Sequence, residues 1–167
     1  SSYTTRVRTA IRKAEKARLS VEWVEGSEYV SVFHEMYNSV MREIEADQFY
    51  IFPVEYHKAL LTWNHSHLAV CKHEKNIIAA ALFLIGPDLV EYHLSFSIFQ
   101  GKQLGATNLI LHEVALHAKD RGCTRLHLGG GTDNQPNNPL LFFKSGFSKH
   151  KASFKIGKRI YQPSIYD

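Results

Sequence analysis

The chain has 167 residues, 44% hydrophobic and 22% charged, which is the composition of one globular domain with a buried core rather than of a disordered segment. An apolar run at residues 77–85 is about half as long as a membrane-spanning helix, and residues 1–16 contain no apolar secretion signal. We therefore expect a cytoplasmic protein in which Cys71 and Cys123, far apart within apolar segments, are buried free thiols.

Charge is unevenly distributed along the chain, whose net charge is +4. Residues 1–18 carry six basic side chains and one acidic, residues 144–167 again six and one, and residues 19–143 eight basic and fourteen acidic. Basic ends of this kind attract an anionic ligand such as a nucleotide, a phosphate or RNA. Alternatively, these charges only keep a surface helix and an edge strand soluble, and the sequence leaves both interpretations open.

Hydrophobic periodicity predicts the secondary structure along the whole chain. In order, we predict a helix at residues 3–18, a strand at 20–25, helices at 28–46 and from Pro53 to about 64, strands at 67–72, 77–85 and 89–97, a helix at 104–121, a strand at 124–128, a helix at 139–145 and a last strand or hairpin at 147–160. The first helix lacks a convincing cap, so we expect it to continue from a preceding segment.

The order of these elements predicts the fold class. Turn-forming HEKN and GPD separate the three middle strands, which indicates an antiparallel meander. Together with the interleaved helices, this predicts an α/β fold in which a central mixed, mostly antiparallel sheet has helices on both faces.

The segment SIFQGKQLGATN leads from the third meander strand into the helix at residues 104–121. A strand, a glycine-containing turn and a helix N-terminus bring amide hydrogens and the positive end of the helix dipole together, which suits a phosphate or carboxylate. Gly105 and Asn108 are therefore candidate substrate-binding residues. Gly101 and Gly105 are also explained by the ordinary steric demands of a turn.

Three glycines and a lysine follow the strand at residues 124–128. Gly129, Gly130 and Gly131 stand at its carboxyl end, where open α/β sheets place ligand crevices, and they either admit a substrate or let the chain leave the sheet at positive φ. Neither a Walker loop nor a dinucleotide fingerprint fits. Lys144, held between aromatic residues, is a candidate for stabilising a phosphate or the oxyanion of acyl transfer.

Histidine is abundant, with ten residues, but no metal site is expected. His65 and His67 lack carboxylates or thiols at ligand spacing, and no HExxH or CxxC motif occurs. His93 and His127 lie in predicted strands, His93 on the face opposite Leu94. Either is a candidate general base, and the alternative is an ordinary hydrogen-bonded strand histidine.

Five segments in series resemble one known family. They are IRKAEKA at residues 11–17, EYHLS at 91–95, LGATNLILHEVALHAKDRG at 104–122, LHLGGGTD at 126–133 and FFKSGF at 142–147. In this order they resemble the second half of Fem-type aminoacyl transferases and related FemAB-like proteins, which have the GNAT acyltransferase fold. The similarity covers nearly the whole chain.

The resemblance implies a domain organisation and a function. Two GNAT-like domains would stand in tandem, with residues 1–18 as a basic linker helix, residues 19–167 as the second domain, and the preceding domain missing from this chain. Fem-type enzymes place an FK pair at the acyl-donor channel, which implies that role for Phe143 and Lys144. The expected reaction is acyl or aminoacyl transfer to an amine in peptidoglycan or polysaccharide biosynthesis, with aminoacyl-tRNA or an acyl-CoA as donor and tRNA as a partner.

One departure from the wider superfamily concerns the donor. Acetyl-CoA-dependent members carry an Arg/Gln-x-x-Gly-x-Gly/Ala loop, and residues 102–107, KQLGAT, miss both ends of that pattern. An aminoacyl ester is already activated and needs no such loop. Two alternatives stay open: an acetyl-CoA-dependent N-acetyltransferase, and a non-catalytic module that binds RNA or a protein.

Overall fold

The computed structural model describes residues 3–133, 135, 137–153, 157 and 159–162. Its elements are α1 (Thr5–Lys16), β1 (Ser20–Val24), a 3-10 helix (Gly26–Tyr29), α2 (Val30–Glu43), a second 3-10 helix (Gln48–Tyr50), α3 (Val54–Leu61), β2 (Ser66–His73), β3 (Asn76–Ile85), β4 (Leu89–Ser97), α4 (Phe99–Leu104), α5 (Ala106–Asp120), β5 (Arg125–His127) and α6 (Pro139–Ser145).

The five strands form one sheet in the order β1-β2-β3-β4-β5. Pairing is antiparallel from β1 to β4, whereas β5 runs parallel to β4. The predicted α/β fold with a mixed, mostly antiparallel sheet is confirmed, including the meander of β2, β3 and β4.

Side chains of the sheet alternate between two hydrophobic clusters, one on each face. In β2, Leu68 and Val70 pack with α2 and α3, whereas Ala69 and Cys71 pack with α1 and α5. Successive side chains of a strand point to opposite faces, so continuous apolar strands such as β3 belong at the centre of a sheet covered by helices on both sides. This packing confirms the prediction of helices on both faces.

Helix α1 is part of the core. Val7, Ile11 and Ala14 are buried in the cluster that also contains α5. The expectation of a missing cap is wrong: the Thr4 hydroxyl accepts a hydrogen bond from the Val7 amide at 3.5 Å, and its backbone is extended, as an N-cap requires.

Two other predictions need correction. The helix expected at residues 104–121 is α5, but the residues before it, expected to form a turn, contain a further helix, α4, which ends at Gly105 with its positive φ of 79°. The strand or hairpin expected at residues 147–160 is not found in its described residues, and residues 154–156 and 158 lie outside the description.

Gly105 is expected to tolerate no side chain, and Gly122 is its matched control. Both have positive φ, 79° and 82°, but a Cβ on Gly105 would lie 2.7 Å from the Ala10 carbonyl oxygen, whereas a Cβ on Gly122 meets nothing within 4 Å. Gly105→Ala should lower the free energy of unfolding by about 3 kcal/mol or more, and Gly122→Ala by about 1 kcal/mol. Urea unfolding measures both, and equal losses would contradict the steric explanation.

Candidate active site

The candidate site lies where the pairing between β4 and β5 ends. The parallel pairing of β4 with β5 ends at Glu91 and His127, while β4 itself continues to Ser97. Within the described residues, the stretch from Tyr92 to Ser97 has no strand paired on this side. An unpaired strand edge offers backbone hydrogen-bonding groups to an extended ligand.

Lys144 lies at this opening. Its ammonium group donates a hydrogen bond to the Gly130 carbonyl oxygen at 2.8 Å and lies 5.7 Å from the centre of the Tyr92 ring. The side chain is partly buried, and burial lowers its pKa. The structure therefore joins the end of β5, helix α6 and the free edge of β4 around one cation.

The three glycines after β5 have different reasons to lack a side chain. Gly129 has a φ of 71°, and a Cβ on Gly131 would lie 2.5 Å from the Asn138 side chain. A Cβ on Gly130 would meet nothing within 4 Å. Folding therefore explains Gly129 and Gly131, whereas the space beside Gly130 is open.

Asn138 joins the glycine segment to α6, and the sequence analysis missed it. Its side-chain oxygen Oδ1 caps α6 by accepting a hydrogen bond from the Leu141 backbone amide at 2.9 Å. Its side-chain nitrogen Nδ2 donates to the Thr132 hydroxyl at 2.9 Å and to the Asp133 carboxylate at 3.0 Å. Only 2% of its surface is exposed. An Asn directly before Pro139 is a helix-start pattern, so a signal was present in the sequence.

Phe143 holds α6 on the domain. It packs against the cluster beneath α1 and α5, and its ring meets Phe147 at 5.5 Å between centres. Phe143 thus contacts the hydrophobic core, whereas the adjacent Lys144 contacts Gly130 and the Tyr92 ring.

His93 is the extra residue of a β-bulge. Leu82 pairs with Leu94 and Phe83 with Tyr92, so His93 has no partner across the β3–β4 ladder. Its Nε2 lies 3.3 Å from the Tyr56 hydroxyl on α3, and partial burial lowers its pKa. The expected position opposite Leu94 is wrong: Leu94 also packs toward the α2 and α3 cluster, because the bulge interrupts the alternation.

His93 faces α3 and does not contact Lys144, which lies over the Tyr92 ring, and the remaining candidate residues do not contact Lys144 either. His127 is exposed at the end of β5, and its side chain makes no hydrogen bond to a described residue. Gly105 is buried against Ala10 of α1, and Asn108 is partly buried in the first turn of α5. Packing against α1 accounts for Gly105, and the substrate-binding roles of Gly105 and Asn108 stay predictions.

A buried polar cluster links α2 to α3 beside Tyr56. His34 and His57 share a hydrogen bond at 3.0 Å between their Nδ1 atoms, and the Asn38 amide donates to the Phe52 carbonyl at 2.8 Å. His57 has no exposed surface, and its Nε2 has no partner within the described structure. Desolvation by burial, and then the neighbouring His34, lower the pKa of His57 to about 4.

This cluster predicts a loss of stability in acid. Unfolded histidine titrates near pH 6.5, so between pH 6.5 and about 4 the unfolded chain binds a proton that folded His57 does not. Stability is then complete above pH 6.5 and decreases as the pH falls through this window, by on the order of 3 kcal/mol at its lower end. Urea unfolding of the wild type and of His57→Leu should show a weaker acid dependence in the variant, and identical dependences would contradict the assignment.

Comparison with known proteins identifies the family. The family model of the acetyltransferase (GNAT) domain matches residues 1–139, most of the chain. The chain belongs to the GNAT acetyltransferase family. No curated protein matches it. The match ends at Pro139, so this GNAT domain carries Lys144 just beyond the matched region.

Several solved structures share this fold. A ribosomal-protein-alanine N-acetyltransferase from Brucella melitensis biovar Abortus 2308 has a TM-score of 0.64 and 11% identity, covering 85% of this GNAT domain and 99% of that chain. An aminoglycoside acetyltransferase from an uncultured soil metagenomic sample, in complex with sisomicin, has a TM-score of 0.61 and 15% identity, covering 86% and 95%.

A third similar structure is part of a longer protein. The C-terminal domain of an Agrobacterium fabrum protein described as a lysylphosphatidylglycerol synthetase has a TM-score of 0.59 and 17% identity, covering 76% of this chain and 41% of that one. At such identities the likeness concerns the fold alone. Among the described residues, no helix is both long and apolar enough to cross a membrane.

Proposed function

We propose that this GNAT domain transfers an aminoacyl or other acyl group to an amine, as FemAB-like enzymes do, in the assembly of peptidoglycan or an envelope polysaccharide. The observation that supports the proposal is the Lys144 ammonium group, held at 2.8 Å from the Gly130 carbonyl beside the unpaired edge of β4. A carbonyl of the donor placed at this edge would have a cation within reach.

The chemistry requires two functions of the protein. The acceptor amine attacks the donor carbonyl, a C–N bond forms, the C–O bond of the ester breaks, and the leaving hydroxyl takes a proton. Lys144 is suited to stabilise the negative oxygen of the tetrahedral intermediate. His93, kept neutral at pH 7 by its lowered pKa, is suited to accept the proton that the amine loses.

The segment around Gly105 indicates which class of acyl donor the domain uses. A pyrophosphate loop would occupy residues 102–107, but here α4 ends and α5 begins, with Gly105 against the Ala10 carbonyl and Ala106 without exposed surface. Packing against α1 therefore explains the glycine at position 105 without a diphosphate. This favours an aminoacyl ester such as aminoacyl-tRNA, and the structural neighbour named for lysylphosphatidylglycerol synthesis also concerns an aminoacyl product.

An acetyl-CoA-dependent N-acetyltransferase is the second candidate, favoured by the family description and by the names of two structural neighbours. Calorimetry with acetyl-CoA separates the two candidates. We expect no binding at micromolar concentration, and we expect transfer from a mixed aminoacyl-tRNA pool to a peptide with a free lysine amine. Micromolar binding of acetyl-CoA, with acetylation of that peptide, would contradict the aminoacyl proposal.

The domain organisation is also a proposal. We infer that α1 connects this domain to a preceding GNAT-like domain, as in Fem-type proteins. Its apolar face is buried in this domain, while Arg8, Arg12, Lys13 and Lys16 stay exposed. The helix would therefore serve as a rigid connection rather than a flexible one.

A further inference from the structure

Helix α6 holds the site lysine but has little packing of its own. It has seven residues, none of them fully buried. A helix of two turns is not stable alone, because nucleation costs more than so few hydrogen bonds return. Its position must therefore come from the packing of Phe143 on the core and from the contacts at its two ends.

Asn138 secures the N-terminal end of α6, and the first residues of the domain secure the other end. The Arg6 guanidinium donates a hydrogen bond to the Phe142 carbonyl at 2.7 Å and stacks on the Phe142 ring, 3.7 Å from its centre. The Thr4 amide donates to the Gly146 carbonyl at 2.9 Å. An arginine at a helix C-terminus satisfies a free carbonyl and complements the helix dipole.

The approach of α1 to this end of α6 is close. A Cβ on Gly146 would lie 2.7 Å from the Val7 side chain and 2.9 Å from the Arg6 guanidinium. Arg6 belongs to α1, which is fixed in the core, and it contacts α6 at Phe142, two residues before Lys144.

We propose that Arg6 is a positioning residue, which clamps the Phe142 end of α6 and thereby holds Lys144 against Gly130. Helix α1 and the site lysine then form one mechanical unit, so that a displacement of α1 is transmitted to the site. The effect on catalysis rests on the proposed role of Lys144, whereas the effect on the position of Lys144 does not.

The experiment measures the environment of Lys144 directly. Lysines are labelled by reductive ¹³C-methylation, and the Lys144 signal is identified by its loss in Lys144→Arg. Burial lowers the pKa of Lys144, so in the wild type its signal should titrate below the signals of exposed lysines. In Arg6→Ala that titration should move up toward theirs. Arg12→Ala, which removes an exposed arginine from the same helix, should leave it unchanged.

Two further variants separate positioning from folding. Arg6→Lys keeps the charge and one donor but loses the planar stack, so it should restore part of the Lys144 environment. Phe142→Leu removes the ring and keeps the backbone carbonyl, so it should shift the Lys144 titration in a protein that stays folded by circular dichroism. A Lys144 titration that is unchanged in folded Arg6→Ala and in Phe142→Leu would overturn the proposal.

Activity adds an independent test. With the donor and acceptor that turn over, Arg6→Ala should lower kcat about tenfold with little change in KM, because a small displacement of a charged group in a site has effects of this size. If the Lys144 titration shifts in Arg6→Ala while kcat is unchanged, positioning by Arg6 is supported and a catalytic Lys144 is excluded. The two proposals can therefore fail separately.

Discussion

Replacing Lys144 by alanine is expected to reduce kcat for acyl transfer by about 10²- to 10³-fold while the domain stays folded. The side chain is partly buried, and it donates to the Gly130 carbonyl at 2.8 Å, with no carboxylate partner among the described residues. A cation that is held by a neutral partner at an unpaired strand edge stays available for the charge that develops on a substrate oxygen. The measurement is steady-state transfer to the lysine peptide, with thermal unfolding as the test of folding.

Lys149→Ala is the matched control, since it removes an exposed lysine five residues later. Its kcat should equal that of the wild type. Lys144→Arg keeps a cation with a longer and planar head group, and it should recover part of the activity. Wild-type turnover by folded Lys144→Ala would remove this residue from the mechanism and leave it as an anchor for Gly130.

Replacing His93 by alanine is expected to lower kcat/KM by about 10²- to 10⁴-fold, the usual contribution of a general base. Partial burial lowers the pKa of His93 below its ordinary value of 6.5, so the imidazole is in its neutral, proton-accepting form at neutral pH. For a base, activity is complete above the pKa and is lost as the pH falls through it. The acid limb of the wild-type profile should therefore lie below pH 6.5 and disappear in His93→Ala.

His127→Ala is the control for His93→Ala, because His127 pairs with Glu91, two residues before His93 in β4. That histidine is exposed at the end of β5, so its removal should change kcat/KM less than twofold and leave the pH profile intact. A larger effect at His127 than at His93 would reverse the assignment. Tyr56→Phe, which removes the hydroxyl 3.3 Å from His93, should alter the acid limb without abolishing transfer.

Elements that depend on neighbouring residues were predictable from the sequence. The stripe of Val7, Ile11 and Ala14 indicated α1, and these three residues are its buried face. Helix α6 was predicted with the bounds it has, because Pro139 at its first position and the following apolar residues are local signals. The closeness of Lys144 to the glycine segment also follows from a short loop that joins them.

The predictions that failed depend on contacts across the fold. Helix α4 was predicted as a turn because Gly101 and Gly105 are typical of turns, and nothing near Gly105 in sequence reveals the Ala10 backbone that lies against it. The alternation of β4 could not show the bulge at His93, because a bulge is defined by the residue count of the opposing strand.

By itself, the sequence determined most of the helices and strands, the mixed sheet and the segment that carries Lys144, since periodicity and capping act over a few residues. Only the tertiary structure decided which side chains surround Lys144, where His93 points and what holds α6 in place. Arg6 and Phe142 are 136 positions apart in the chain, and their contact exists only because α1 and α6 meet after the sheet has formed. Local sequence patterns contain no information on this contact between α1 and α6, because its geometry is set by the packing of the whole core.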